Sequence, residues 1–227
     1  MQTHFERDLA DLKSKLLVMA SHAESAVKQA LDALASRDAA LAESVREGDH
    51  VVDQYELEID EQSIQLLAKA PLASDLRLIT VAMKVCQNLE RVGDEATKIA
   101  KKAIELSEAA PLKLSLPISQ MAELVLGLLR TSLDAFVNNQ PAVARALIPQ
   151  DKAVDALNRQ IHQGLVDKMI EDPSTVQRCL AWMVVAKSLE RVGDHAKNVA
   201  EEVVYLVEAE DIRHRHAAAA AAAAGKA

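Results

Sequence analysis

From Leu9 the apolar positions fall at Leu9, Leu12, Leu16, Met19, Ala23, Ala26, Ala30 and Ala33, alternately three and four apart. Residues so spaced share one helix face, which predicts a long helix with a narrow packing seam. Asp38 is placed to cap a second helix, whose pattern opens at Leu41 and Val45 and resumes at Val52, Tyr55, Ile59 and Leu66, with Gly48 as the expected kink. That helix ends near Pro71, and Ser74 is read as the cap of a third, with Leu76, Ile79, Met83, Cys86, Leu89, Gly93, Ala96 and Ala100 on one face.

The second half repeats the plan. Pro117 opens a helix through Met121, Leu124, Leu128 and Phe136, and Pro141 opens the next, interrupted at Pro149 where Gly48 interrupts its counterpart. Asp172 and Pro173 make the turn into a last helix through Val176, Cys179, Met183, Leu189, Gly193, Ala196, Ala200 and Leu206. The expected fold class is all-α, with two tandem three-helix bundles related by internal duplication over residues 1–110 and 111–212. The Ala-rich tail, 213–227, has no apolar face to pack and is read as disordered.

Composition sharpens this picture. Aromatic residues make up 2% of the chain and hydrophobic residues 50%, which favours closely packed helices over sheets. A formal charge of -8 argues against nonspecific nucleic-acid binding, which requires a Lys/Arg surface, and suits a collector of cations. Cys86 and Cys179 lie apart in apolar stretches and read as buried small hydrophobes. No apolar run approaches the ~20 residues of a bilayer span. The expected location is therefore cytoplasmic, with membrane contact only through partners.

Leu89-Glu90-Arg91-Val92-Gly93-Asp94 recurs identically as Leu189-Glu190-Arg191-Val192-Gly193-Asp194, which marks an internal duplication. Asp49 and Asp53 have counterparts in Asp151 and Asp155. Each pair sets two carboxylates one helical turn apart on one face, a repulsive arrangement unless a cation intervenes. Glu43/Glu47 and Glu56/Asp60 share that spacing and, taken singly, read as solvated faces. In an antiparallel hairpin about Pro71, residues equidistant from the turn become neighbours. Asp49 then faces Asp94 and Asp53 faces Glu90; about Asp172–Pro173, Asp151 faces Asp194 and Asp155 faces Glu190.

Two clusters of four carboxylates suit a hard multivalent cation such as Mg, Mn, Ca, Zn or non-haem iron. The competing reading is a salt-bridge network in which Arg91, Arg191, Lys98 and Lys197 neutralise the acids. Gly93 and Gly193 each cost about 1 kcal/mol inside a helix relative to Ala, so a close approach of the facing helix is expected. His50 and His195, each next to a cluster aspartate, should point elsewhere, while Trp182 reads as core.

With these motifs the chain resembles the PhoU family. The resemblance is carried by the doubled Glu-Arg-Val-Gly-Asp, by Pro71-Leu72-Ala73-Ser74-Asp75-Leu76-Arg77, by Met169-Ile170-Glu171-Asp172-Pro173 and by Asp194-His195-Ala196-Lys197-Asn198-Val199. It implies two related three-helix bundles and carboxylate motifs that bind multinuclear metal clusters in some members, with iron or zinc, or alternatively Mg or Mn, as the cofactor. It further implies negative regulation of phosphate uptake and the phosphate-starvation response, through the ATPase subunit of a phosphate ABC transporter and a phosphate-sensing histidine kinase. A homodimer is expected. Glu95 and Lys98 stand where the second copy has His195 and Asn198, so the two sites are expected to differ in occupancy or metal.

No nucleophile, base and oxyanion donors assemble in the pattern, so a regulatory binding module is expected rather than an enzyme. The main rival is a carboxylate-bridged metalloenzyme. Such bundles typically use Glu-x-x-His on two of four helices, a spacing that these clusters lack.

Overall fold

The computed structural model describes residues 4–70 and 72–213, and among these it contains helices and no strand. The first repeat comprises α1 (His4–Ser36), α2 (Ala39–Gly48), α3 (His50–Leu67) and α4 (Ala73–Glu108). The second comprises α5 (Ile118–Val137), α6 (Pro141–Leu147), α7 (Asp151–Glu171) and α8 (Val176–Glu208). In each repeat the expected middle helix is two helices. The first break falls at Asp49, immediately after Gly48; the second is a 3-10 turn, Ile148–Gln150, built around Pro149.

Local chemistry explains several of the boundaries. Asp38 caps α2 by accepting from the Leu41 amide at 3.0 Å, and Asp172 accepts from the Ser174 amide at 3.1 Å in the turn before α8. Arg37 adopts a left-handed φ of 58°, which ends α1, and its guanidinium donates to the Ser107 carbonyl at 2.9 Å. Ser74 does not cap α4. That helix begins at Ala73 with Leu72 at its N-cap, and no side chain bonds there. Pro71, the expected pivot of the hairpin, lies outside the described residues, as does the tail from residue 214 onward.

Leu12, Leu16, Met19, Ala23, Val27, Ala30 and Ala33 of α1 are all buried, and α1 packs chiefly along α4. Its small alanines let the two helices approach closely. In the second repeat α5 packs along α8 in the same manner, with Met121, Val125, Leu129 and Phe136 buried. The two repeats join where α4 crosses α8 antiparallel: Lys84 meets Glu202 at 3.0 Å near one end, and Arg191 meets Glu95 at 3.3 Å near the middle. Both cysteines are free and buried, and burial pushes the Cys86 thiol up to about 12. Trp182 is only partly buried; it packs on the core and lines an apolar pocket with Leu112, Leu114 and Leu116. None of the described helices is long and apolar enough to cross a membrane.

Candidate metal centres and the seam between them

The last two helices of each repeat form the hairpin that gathers its carboxylates. In the first repeat, Asp49 and Asp53 descend the α3 side while Glu90 and Asp94 rise on α4. Burial raises the pKa of Asp49, and the charges of Asp53 and Asp94 add to it, with Thr97 and Lys101 opposing. The Thr97 hydroxyl lies beside Asp49 without reaching good hydrogen-bond geometry. Burial raises Glu90 as well, reinforced by Asp94, Glu56 and Asp53 and opposed by Arg91. Asp49 thus sits within the field of Asp94 and Glu90 within that of Asp53, as hairpin register requires.

Glu56 departs from its reading as part of a solvated face. It is half-buried, and its pKa is raised by burial and then by Asp60, Asp53 and Asp94. The acidic ladder therefore starts at Asp49, the N-cap residue of α3, and continues along that helix through Asp53, Glu56 and Asp60, one turn per step. The signal was present in the continued three- and four-residue spacing, but only the hairpin distinguishes this pair from Glu43/Glu47.

The second cluster is more enclosed. The Asp151 and Glu190 side chains are 14% and 16% exposed, against 53% for Asp94. Asp155 is half-buried on the next turn of α7. Burial raises Asp194, followed by the charges of Asp151 and Glu190, while Lys197 and Lys187 oppose the rise. Lys197 Nζ donates to Asp151 Oδ2 at 2.8 Å, and Lys187 is in ion-pair contact with Glu190. Lys197 would be pushed down by its own burial, but its bond to Asp151 holds it up. The salt-bridge reading therefore applies in part here, through lysines and not through the arginines.

Both repeated glycines sit at close approaches. A Cβ at Gly93 would lie 3.4 Å from Asp49 Oδ1 and from Val52, whereas one at Gly193 would lie 3.3 Å from Val154 and 3.4 Å from Val125. Nothing lies within 4 Å of the equivalent point at Gly48, so the break there needs no close contact.

Comparison with known proteins agrees with this doubled geometry. The PhoU domain model matches the chain twice, over residues 16–103 and 118–203. The chain belongs to the PhoU family. The phosphate-specific transport system accessory protein PhoU homologue of Pseudomonas putida is 40% identical over 212 residues, covering 92% of this chain and 83% of that protein. The accessory protein PhoU of Escherichia coli is 33% identical over 211 residues, covering 92% and 88%. The crystal structure of PhoU from Pseudomonas aeruginosa superposes with a TM-score of 0.88 at 39% identity, covering 91% of this chain and all of that one. PhoU from Streptococcus pneumoniae gives 0.85 at 28% identity, covering 92% and 99%.

The PhoU-family carboxylates here are of the right chemical type for a hard cation. In the second cluster Asp151 Oδ2 takes the Lys197 ammonium, while its Oδ1 is buried without a hydrogen-bond partner and can accept one more positive group. As placed, no three His, Cys, Asp or Glu side chains among the described residues converge on one point.

Between the two clusters lies a polar cleft of about 520 Å³, lined from α4 by Arg91, Asp94, Glu95 and Lys98 and from α8 by Arg191, Asp194, His195 and Asn198. Both motif arginines face this seam between the PhoU domains. Glu95 is buried, which would raise its pKa, yet Lys98, Ser188 and Arg191 bring it below the ordinary glutamate value. His195 points away from the second cluster, with its Nδ1 3.0 Å from Asn88 Oδ1. Its pKa falls to about 4, chiefly through burial and then through Arg91, so it is neutral at pH 7. His50 is exposed, and its ring bonds the Glu47 carbonyl at 2.6 Å.

Proposed function

We propose that this chain is a negative regulator of phosphate uptake and of the phosphate-starvation response. It acts as a metal-binding adaptor between the ATPase subunit of a phosphate ABC transporter and a phosphate-sensing histidine kinase. The supporting observation is membership of the PhoU family through two domains that span both repeats, together with relatives named as accessory proteins of phosphate-specific transport. Signalling is by binding and not by turnover, as a homodimer in the cytoplasm that reaches the membrane through its partners.

In this reading Asp49, Asp53, Glu90 and Asp94 hold cations in the first repeat, and Asp151, Asp155, Glu190 and Asp194 hold them in the second. The bound metal, iron or zinc or alternatively Mg or Mn, supplies the positive charge that like-charged carboxylates lack. The protein's own residues do the rest: α3 and α7 present one edge of each cluster, α4 and α8 the other, and the glycines keep the edges close.

The test is a deletion strain grown in plentiful phosphate, with starvation-reporter expression and phosphate uptake measured together. Derepressed reporter with retained uptake is expected. Normal repression, in a strain with no functional paralogue, would overturn the proposal.

A further inference from the structure

The duplicated motif contains an exposed arginine that forms no ion pair with the carboxylate cluster beside it, although the charge of Arg91 opposes the pKa rise of Glu90. In a symmetric dimer of repeats, each arginine would meet a carboxylate across the α4–α8 seam. Arg191 does so, meeting Glu95 at 3.3 Å. The equivalent partner of Arg91 is His195, so Arg91 forms no ion pair among the described residues. Lys98 enters the same cleft and reaches Glu95 at 2.9 Å. At the floor, Glu95 is 3% exposed, and its Oε2 has no hydrogen-bond partner; the Ser188 hydroxyl lies alongside without adequate geometry. The cleft thus offers guanidinium and ammonium donors around one buried carboxylate edge. Asp94 and Asp194, its other acids, belong to the flanking clusters.

We infer that this cleft binds hydrogen phosphate. The inference rests on the metal reading above, since cations held by Asp94 and Asp194 leave three positive side chains facing Glu95 alone. Guanidinium groups recognise oxyanions through paired, charge-assisted hydrogen bonds. A carboxylate in such a site repels any oxyanion unless that ligand can also donate a hydrogen bond. Hydrogen phosphate can: its unprotonated oxygens accept from Arg91, Arg191 and Lys98, while its P–OH donates to Glu95. Sulfate at neutral pH has no proton to donate. A phosphate monoester has lost most of its second proton above a pKa of about 6, so a phosphorylated partner side chain is disfavoured on the same ground. The ligand is therefore inorganic phosphate itself, bound where both clusters contribute an edge.

The experiment is equilibrium dialysis of the full chain in manganese with labelled inorganic phosphate, with bound manganese counted in the same samples and with sulfate and glycerol phosphate as competitors. The wild-type chain should hold phosphate, and both competitors should displace it at least about tenfold less well than phosphate itself. R91A alters an exposed side chain with no ion pair, so it should fold normally and bind phosphate about tenfold or more weakly. Manganese bound without phosphate would overturn the cleft and leave the metal reading standing. Phosphate bound without manganese would support the cleft and overturn the reliance on metal, and failure of both would sink both. Unchanged phosphate affinity in R91A would remove the site from the cleft, and equal competition by sulfate would remove Glu95 from the recognition. E95Q, with its fold checked by melting, should narrow the gap between phosphate and sulfate.

Discussion

The two carboxylate clusters descend from one design and now solve the same electrostatic problem differently. The first is open and strongly acidic, with Glu56 and Asp60 extending Asp49 and Asp53 along α3. In the second, the equivalent positions are Asn158 and His162, while Lys187 and Lys197 stand where the first has Gln87 and Thr97. All four exchanges add positive charge or remove negative charge. Lys98 and Lys101 offset part of the first cluster's excess, but Lys98 is divided between Asp94 at 3.9 Å and Glu95 at 2.9 Å. The second cluster carries its own counter-ions in contact with the acids and can bury them. The first leaves its repulsion for solvent or a cation to relieve. Duplicated sites need not be duplicated in demand.

The largest test of this contrast is metal affinity. E90A/D94A should empty the first cluster while the fold persists, and metal analysis after dialysis would show the loss; an unchanged content would refute the ligand assignment. Removing the internal competitors with K187A/K197A should tighten metal binding at the second cluster by about tenfold or more, equivalent to roughly 1.4 kcal/mol. A calorimetric titration in which that variant binds no better than the parent would break the comparison.

Next in size is the asymmetry of the arginines. R191A deprives the buried Glu95 of a partner and should destabilise the protein by about 1–3 kcal/mol, whereas R91A should change stability by less than about 0.5 kcal/mol. Urea melts of the pair decide this, and equal losses would mean that the seam is more symmetric than its side chains indicate.

The glycines provide a third comparison. Alanine gains about 1 kcal/mol in helix propensity at either position. At Gly93 one of the two nearest atoms is the oxygen of a side chain that can rotate, whereas at Gly193 the new methyl meets Val154 and Val125 on two different helices. G193A should therefore melt below G93A, by roughly 1 kcal/mol in stability. The reverse order would place the tighter approach in the first repeat.

The smallest effect is on pH. Asp49, Glu56 and Glu90 have folded pKa values raised by burial and like charge. An acid raised in this way binds more protons folded than unfolded, so its contribution is favourable at low pH and is lost as pH rises through its folded pKa. In chelator-treated protein, E56Q/E90Q should match the parent near pH 3 and become the more stable form as pH climbs above the ordinary glutamate value of about 4.3. The gain at pH 7 should be about 0.2–0.5 kcal/mol for each like-charge pair removed. A stability difference that does not vary with pH would argue against coupling among these acids.

Several parts of this molecule can be read along the chain because they depend on short-range geometry. Helical periodicity identified the long helices, the Asp38 cap, and the breaks near Gly48 and Pro149. A hairpin converts distance from a turn into contact, so the pairing of Asp49 with Asp94 and Asp53 with Glu90 follows from counting, whereas the close approach at each glycine follows from the cost of a glycine inside a helix. Ser74 misled because a serine near a helix start is a cap only if the backbone places its oxygen over the first amides, and the chain enters the helix two residues earlier, with Leu72 at the N-cap and Ala73 as the first helical residue. Glu56 and Asp60 were indistinguishable from solvated pairs until α4 lay against them.

The tertiary structure alone decided where the motif arginines go. Within one repeat, Arg91 and Arg191 adjoin acidic clusters, and local charge makes those acids their natural partners. The α4–α8 crossing turns both into a different cleft, where Glu95 meets Arg191 across 96 positions of sequence and His195 leaves Arg91 without an acid. Periodicity specifies which face of a helix a residue occupies, but not which distant helix that face will meet. That second choice comes from how two amphipathic surfaces pack, and no local spacing encodes it.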